Sequence, residues 1–155
     1  MQMFWLESGH ANSLQPGKRP RTTLTPSMAF KSGKPYLAFG TPGGDQQEQW
    51  SLLLWLLHNK YGRPLQRSIE TPAFHTSHLI ASFWPREIKL GSLFVEGRFS
   101  DETIKDLRRR GHDLHVGGDW SEGRLSACSF EPTASGAIIR AGANPRGMQG
   151  YAIAR

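Results

Sequence analysis

A glycine-rich segment between a predicted strand and a predicted helix is the strongest candidate for chemistry in this sequence. It reads Gly40-Thr41-Pro42-Gly43-Gly44. Paired glycines at such a junction let backbone N–H groups converge on an anion, and the dipole of the following helix adds positive potential. In acyl transfer the same geometry forms an oxyanion hole, which stabilises the transition state. The segment therefore predicts either an oxyanion hole formed by Gly43 and Gly44 or a plain turn.

Clustered hydroxyl groups precede the first predicted strand, within the run Arg21-Thr22-Thr23-Leu24-Thr25-Pro26. Hydroxyl groups at a loop-to-strand junction can donate hydrogen bonds to a substrate carboxylate. Threonine side chains in loops also commonly cap the local backbone. The residues alone favour capping, and carboxylate binding by Thr22 and Thr23 is the alternative.

The histidines and the single cysteine complete no recognisable catalytic or metal site. His75 and His78 have H-x-x-H spacing, but no neighbouring cysteine or carboxylate set completes a zinc site, so no metal is expected. His112 and His115 lie on a predicted strand without an identifiable partner. Cys128 alternates with apolar residues, and no base can be assigned to it, which favours a core position over a nucleophile.

A mixed α+β scaffold is predicted to position these candidates. β-Favouring segments at 24–30 and 35–40 flank Lys31-Ser32-Gly33-Lys34, which predicts a hairpin. Apolar residues at i, i+3, i+4 and i+7 then predict a helix from Asp45, its expected N-cap, to about Lys60. Because apolar residues also occupy the other side of this helix, we expect it to be buried nearly all round.

Shorter elements follow this helix. Ser100 is expected to cap a helix that runs through Arg110. A short helix is predicted at 65–70, and strands are predicted at 93–96, 112–116, 123–130, 136–141 and 151–154. No internal repeat or linker interrupts the pattern, which predicts a single α+β unit over residues 1–155.

Length and composition agree with one small domain. The chain has 155 residues, of which 37% are hydrophobic, enough to bury an ordinary core. No apolar run approaches the roughly 18 to 20 residues that a membrane-spanning helix needs, and one cysteine cannot form an internal disulfide. The net charge of +6 raises the question of nucleic acid. No aromatic-interleaved basic stripe supports it, so neither nucleic acid nor a membrane is an expected partner.

Six motifs, taken in order along the chain, resemble the small subunit of gamma-glutamyltranspeptidases. They are Lys18-Arg19-Pro20-Arg21-Thr22-Thr23-Leu24-Thr25-Pro26, Gly33-Lys34-Pro35, Gly40-Thr41-Pro42-Gly43-Gly44, Ala73-Phe74-His75, Arg109-Arg110-Gly111-His112 and Pro145-Arg146-Gly147. The resemblance covers nearly all 155 residues. It fits best a bacterial subgroup of gamma-glutamyltransferase-like proteins with an Arg-Gly-Met-Gln-Gly-Tyr run, which stands here at 146–151.

This resemblance implies an N-terminal-nucleophile hydrolase, an αββα sandwich of two β-sheets between helical layers. In that family a precursor cleaves itself, and the new N-terminal threonine attacks a γ-glutamyl amide to form an acyl-enzyme. The resemblance implies that the Gly43 and Gly44 N–H groups form the oxyanion hole. It implies that Thr22 and Thr23 bind the α-carboxylate of the substrate and that Gln2 contacts its α-amino group. It implies no cofactor.

Two departures from the family pattern shape the expected role. The family's catalytic threonine belongs to a strand upstream of this segment, so the chain is expected to be the C-terminal part of a small subunit. It would then lack both the nucleophile and the large subunit, and would be inactive alone. The family's usual Gln-Met-Asp-Asp run stands here as Gln2-Met3-Phe4-Trp5. Trp5 therefore replaces an aspartate that pairs with the substrate ammonium, a bond worth about 1.5 to 3 kcal/mol.

The favoured function is hydrolysis or transfer of γ-glutamyl amides such as glutathione. Because of Trp5, an acylase for a glutaryl-type or poly-γ-glutamyl amide is an alternative. A non-catalytic fragment or assembly module is the rival from another class. The compartment is left open, with the cytoplasm favoured over the periplasm.

Overall fold

Two β-sheets and three α-helices form the chain, as seen in a computed structural model that describes residues 3–148 and 150–153. The strands are β1 (Ser27–Lys31), β2 (Lys34–Gly40), β3 (Phe74–Thr76), β4 (Ser92–Val95), β5 (Asp113–Val116), β6 (Ser126–Thr133) and β7 (Gly136–Ala143). The helices are α1 (Gln47–Trp55), α2 (Leu65–Glu70) and α3 (Asp101–Arg109). A 3-10 turn at Gly44–Gln46 precedes α1, a π-helical stretch at Leu56–Lys60 extends it, and another 3-10 turn lies at Arg146–Met148.

The larger sheet has the order β1-β2-β6-β7 and is antiparallel throughout. Its register pairs Leu37 of β2 with Ser129 of β6 and Phe39 with Ala127, so these side chains share one face. The helices α1 and α2 pack on that face. The main core lies between them, and its buried members are Leu37, Trp50, Leu54, Leu65, Ile69, Ala73, Leu125 and Ala127.

The smaller sheet has the order β3-β4-β5. Strand β3 runs antiparallel to β4, whereas β4 and β5 are parallel and α3 makes the crossover between them. Ser100 caps α3, because its Oγ accepts the Thr103 N–H at 3.2 Å, as the sequence predicts.

A buried carboxylate joins the segments around this smaller sheet. Glu96 follows β4 directly and has no exposed surface. Its Oε1 accepts hydrogen bonds from Arg146 Nε at 2.6 Å and from the Glu122 N–H at 3.1 Å. Its Oε2 accepts from Arg98 Nη2 at 2.6 Å, Arg146 Nη2 at 3.0 Å and the Ala73 N–H at 3.1 Å. All lone pairs of this buried carboxylate therefore accept hydrogen bonds.

Arg146 extends the network to α2. It is 2% exposed and donates to the carbonyl oxygens of Ile69 at 2.7 Å and Thr71 at 3.0 Å. The guanidinium of Arg98 stacks 3.5 Å from the centre of the Trp120 ring and covers the outer side of the pair. The network thus holds the end of α2, the start of β3, the end of β4 and the segment after β7 together.

Several predicted elements are confirmed, and four details are wrong. The long helix is not buried all round, since Leu52 is 56% exposed and only one helix side meets the sheet. Asp45 does not cap the helix, because its carboxylate accepts the Ser82 N–H instead. Cys128 is exposed on the face of β6 opposite to the helices, so the core position is wrong. Residues 151–153 form no strand, and residue 154 lies outside the described residues.

The first prediction concerns acid stability. Burial raises the pKa of Glu96, but the hydrogen bonds from Arg146, the Ala73 and Glu122 N–H groups and Arg98 outweigh it and hold that pKa below its ordinary value of 4.5. A depressed carboxyl pKa stabilises the fold above the unfolded-state value and loses this contribution as the pH falls through the folded value. We therefore expect the free energy of unfolding, measured by urea denaturation, to drop below about pH 4.5.

Glu96→Gln is expected to remove this part of the acid dependence and to lower stability at pH 7 by about 3 to 5 kcal/mol, because Arg146 remains buried without its counter-charge. Asp106→Asn is the matched control, since Asp106 is also ion-paired to arginines but its side chain is 33% exposed on α3. Equal effects of the two substitutions would contradict the prediction.

Candidate functional site

A polar cleft of about 320 Å³ lies where the threonine loop meets the start of the long helix. One wall is formed by the loop before β1, another by the segment between β3 and β4, and the 3-10 turn before α1 lies between them. Its lining is rich in hydroxyl and charged side chains and includes Arg21, Thr22, Thr23, Thr25, Asp45, Gln46, Glu48, Gln49, Thr76, Ser77, Ser82 and Lys89.

Both predicted threonines line this cleft, but they differ in exposure and in hydrogen bonding. Thr22 is exposed and its Oγ1 accepts the Leu24 N–H at 3.1 Å, which is the local capping that the residues alone favour. Thr23 is half-buried, and its carbonyl oxygen faces the Gln47 side chain. The hydroxyl of Thr22 can still donate a proton while it accepts the Leu24 N–H.

Gln47 connects the threonine loop to the glycine turn. It is 6% exposed, and its amide satisfies all its neighbours in the orientation that places Oε1 3.1 Å from the Gly44 N–H. In that orientation Nε2 donates to the carbonyl oxygens of Thr41 at 3.0 Å and Thr23 at 3.2 Å, and to Thr25 Oγ1 at 3.2 Å. One buried amide thus fixes the distance between the two motifs that the sequence singled out.

The glycine turn needs its glycines. Gly43 has φ +144° and Gly44 has φ +62°, conformations that other residues adopt only under strain. A Cβ at Gly43 would clash with the Trp50 ring, and an ideal Cβ at Gly123 would lie only 3.0 Å from the same ring. The Trp50 ring therefore packs closely against the backbone of both glycines. Within the described part of the chain, the Gly43 N–H makes no hydrogen bond, whereas the Gly44 N–H is bonded to Gln47.

Polar contacts close the other side of the cleft. Asp45 Oδ2 accepts the Ser82 N–H at 2.7 Å, and Arg21 Nη2 donates to Ser82 Oγ at 2.8 Å. The Arg21 N–H donates to Asn12 Oδ1 at 3.1 Å. Sequence reasoning missed Gln47 and Ser82 as positioning residues. The helical spacing of Gln47, Ser51 and Leu54, which share the buried side of α1, is a signal that could have found Gln47.

The remaining predicted substrate residues lie elsewhere or outside the description. Gln2 lies outside the described residues. Trp5 does not line the polar cleft. Its ring stacks on His10 with centroids 4.0 Å apart, and the Arg86 guanidinium lies 4.3 Å from its centre.

The two histidines with H-x-x-H spacing have separate structural partners. His75 Nδ1 pairs with the Glu122 carboxylate, and its ring stacks on Phe94 with centroids 4.7 Å apart. His78 Nδ1 accepts the Gly91 N–H at 2.9 Å. Across residues 3–148 and 150–153, no three histidine, cysteine or acidic side chains are grouped as metal ligands.

Known proteins resemble this chain in sequence and in fold. A sequence model of the family described as gamma-glutamyltranspeptidase matches residues 1–154. The glutathione hydrolase-like YwrD proenzyme of Bacillus subtilis is 35% identical over 144 residues, which are 93% of this chain and 26% of that protein. The oxamate amidohydrolase proenzyme of Klebsiella pneumoniae is 35% identical over 145 residues, 94% of this chain and 24% of that protein. The chain therefore spans about a quarter of the length of these curated relatives.

Solved structures share the fold. The structure of LmbA2991HD is 50% identical with a TM-score of 0.87, and the match covers 99% of this chain and 27% of that one. A cephalosporin acylase from Bacillus halodurans is 27% identical with a TM-score of 0.79 over 99% of this chain and 26% of that one. These neighbours confirm the expected α+β segment of an N-terminal-nucleophile hydrolase. In the described residues, no helix is both long and apolar enough to span a bilayer.

The second prediction tests the role of Gln47. We expect Gln47→Ala to lower the free energy of unfolding by about 2 to 4 kcal/mol, because it leaves buried carbonyl and N–H groups without partners. Glu48→Ala is the control, since Glu48 is the exposed neighbour on the same helical turn. Chemical denaturation measures both, and a Gln47→Ala loss no larger than that of Glu48→Ala would show that the amide does not hold the two motifs together.

Proposed function

The chain belongs to the gamma-glutamyltranspeptidase family, and from this premise we propose that it forms part of an enzyme that hydrolyses or transfers γ-glutamyl amides such as glutathione. In this proposal residues 1–155 are the C-terminal segment of a small subunit. The N-terminal threonine that forms the acyl-enzyme would come from a segment outside these residues, together with a large subunit. The chain alone would then be inactive.

The glycine turn is the observation that carries the proposal. Its Gly43 N–H has no partner among the described residues, and the turn is rigid because Trp50 and Gln47 pack against it. A fixed and unpartnered N–H group is what a developing oxyanion requires, since the donor then needs no reorganisation during the reaction. The Gly44 N–H becomes the second donor when the Gln47 amide releases it.

Thr22 and Thr23 would bind the same substrate. They line the polar cleft together with Asp45 and Gln46 of the 3-10 turn, whereas Gly43 and Gly44 are not among its lining residues. Their hydroxyl groups would hold the α-carboxylate of the acyl donor, and Gln2 would contact its α-amino group. The threonine that attacks the amide would use its own α-amine as the base.

A different acyl group is the second candidate, and it rests on Trp5. The Arg86 guanidinium already occupies one face of the Trp5 ring, so a substrate ammonium at this position would meet a like charge instead of a carboxylate. This arrangement favours a glutaryl-type amide over a γ-glutamyl amide. A poly-γ-glutamyl chain is the other substrate of this kind.

A non-catalytic assembly module is the candidate from another class, and an exposed sheet face favours it. On the side of the larger sheet away from the helices, the side chains are apolar and solvent-exposed, among them Met28, Phe30, Cys128, Phe130 and Ile139. Contiguous apolar patches of this kind mark surfaces that another polypeptide covers. The face is where the second sheet of an αββα sandwich would pack.

The third prediction tests the oxyanion hole in a longer protein that carries the N-terminal threonine. Gly44→Ala places a Cβ 3.2 Å from the Phe83 ring at φ +62°, which displaces the peptide donor. We expect kcat for γ-glutamyl or glutaryl amides to fall about 100-fold while KM changes little, because the lost interaction forms only in the transition state.

Gly33→Ala is the matched control, since Gly33 also has positive φ (+77°) but lies in the β1–β2 turn with open space around it. An equal kcat for the two variants would remove the oxyanion assignment. A wild-type enzyme that acts on neither class of amide would remove the substrate assignment instead.

The fourth prediction tests the exposed sheet face in the 155-residue chain. We expect the folded chain to bind 8-anilinonaphthalene-1-sulfonate, and the double substitution Phe130→Glu with Ile139→Lys to reduce the fluorescence strongly without lowering stability, because both side chains are exposed. Leu24→Glu is the control, since Leu24 is 73% exposed but lies in the loop before β1. A monomeric wild-type chain without dye binding would exclude a docking face.

A further inference from the structure

A second pocket, of about 780 Å³, lies at the start of β2, whereas the glycine turn follows the end of that strand. Its walls come from the β1–β2 turn, from β6 and β7, and from the chain between α1 and α2. Pockets of this size accommodate small organic molecules. We call it the hairpin pocket, and its lining includes Lys31, Lys34, Tyr36, Arg63, Ser129 and Arg140.

The charge of the hairpin pocket is one-sided. Four of its lining side chains are cationic, namely Lys31, Lys34, Arg63 and Arg140. All four residues are solvent-exposed, so a ligand in the pocket can reach them. Among the described residues of the lining, Glu131 is the one carboxylate, and it already pairs with Arg140 at 2.6 Å. Because like charges gathered at one site repel each other, the excess favours an anionic ligand that carries more than one charge.

A nearly buried hydroxyl group faces the same pocket. Ser129 is 5% exposed and lies on the helix side of β6, opposite Leu37 of β2. Its Oγ makes no hydrogen bond with any described residue. It is not among the described unpartnered atoms that are sealed from solvent, so it opens into the pocket that Ser129 lines. A ligand oxygen can therefore reach this hydroxyl and accept a hydrogen bond from it.

A fixed aromatic ring forms an apolar wall of the hairpin pocket. The Tyr36 ring stacks on the His58 ring with centroids 6.2 Å apart, and Lys31 Nζ lies 5.9 Å from its centre. His58 is held in turn, because its Nδ1–H donates to the Arg63 carbonyl oxygen at 2.8 Å. Pro64 also lines the pocket. The pocket thus combines cationic donors with a surface on which an apolar group can pack.

We propose that the hairpin pocket binds a phosphate monoester with an apolar body. Such a phosphate carries a charge of about −1.5 to −2 at pH 7 and three acceptor oxygens. Its oxygens would accept from the hairpin lysines, from Arg140 and from the Ser129 hydroxyl, and its apolar body would lie against Tyr36. A carboxylate has a single charge and two oxygens, so it would satisfy fewer of these donors. This inference does not depend on the proposed amide chemistry, because the hairpin pocket shares no lining residue with the polar cleft.

Isothermal calorimetry on the 155-residue chain tests the proposal, with phenyl phosphate as the probe. Benzoate keeps the ring but carries one charge, and inorganic phosphate keeps the charge but lacks the ring. We expect phenyl phosphate to bind about tenfold more tightly than either. Benzoate of equal affinity would overturn the phosphate assignment, and inorganic phosphate of equal affinity would overturn the apolar body. If phenyl phosphate does not bind, the whole proposal is wrong.

A serine pair separates a built site from general attraction to a basic surface. Ser129→Ala leaves the charge of the chain unchanged and is expected to weaken phenyl phosphate binding about tenfold, through the loss of a hydrogen bond to a charged group. Ser126→Ala is the matched control, since Ser126 lies on the same strand but outside the pocket, and it should keep the full affinity. Equal affinities of the two variants would overturn the role of the buried hydroxyl.

A lysine pair assigns the charge. Lys34→Gln is expected to weaken phenyl phosphate binding about threefold, because solvent screens this exposed lysine. Lys105→Gln removes the same charge from the exposed side of α3 and should leave the affinity unchanged. Equal affinities of these two variants would place the binding outside the hairpin pocket and overturn the proposal. Circular dichroism checks that each variant folds, and the exposed lysine pair still decides if Ser129→Ala does not.

Discussion

The buried ion pair between Glu96 and Arg146 is the constraint on which the rest of the structure depends. The two residues are 50 positions apart in the sequence, and both side chains are almost completely buried. Burying either charge alone would be strongly unfavourable, so the segments that carry them must arrive together. The same carboxylate also accepts the Glu122 N–H, and Glu122 pairs with His75. His75 lies edge-on to Trp50, which packs against Gly43 and Gly123. A continuous set of contacts therefore leads from the buried pair to the glycine turn.

The glycine turn depends on that support. Trp50 defines one side of the glycine turn, and Gln47 defines the other through its bonds to Thr23, Thr25, Thr41 and Gly44. Neither residue is a candidate for chemistry on its own. Both act by limiting how the backbone donors and the threonine hydroxyl groups can move. In the proposed oxyanion hole this support would preorganise the Gly43 N–H, because a donor that is already oriented needs no rearrangement in the transition state.

Two features lack a partner among the described residues. The outer face of the larger sheet presents Phe30, Phe130 and Ile139 to solvent, and Arg86 keeps a buried donor without a partner. The chain spans about a quarter of the length of its curated relatives. An apolar sheet face of this kind agrees with a segment that functions inside a larger assembly.

The sequence alone determined the features that depend on neighbouring residues. The β1–β2 hairpin follows from turn residues between β-favouring segments, the cap of α3 from Ser100, and the glycine turn from the need for positive φ at Gly43 and Gly44. The family resemblance, carried by motifs in order, also came from the sequence. The hairpin, the helix cap and the glycine turn can be predicted because short-range sterics and hydrogen bonding act within a few residues.

Only the tertiary structure decided the features that depend on register and topology. Alternation along β6 could not show that the face carrying Cys128 looks outward, because the pleat gives two faces and only packing decides which is covered. Helical periodicity could not show that Leu52 is exposed, since one side of α1 meets the sheet and the other meets nothing among the described residues. The bonds of Gln47, the stacking of Arg86 on Trp5 and the Glu96–Arg146 pair join residues far apart in sequence. Such pairs carry no local signal, because it is the folded chain that brings them together.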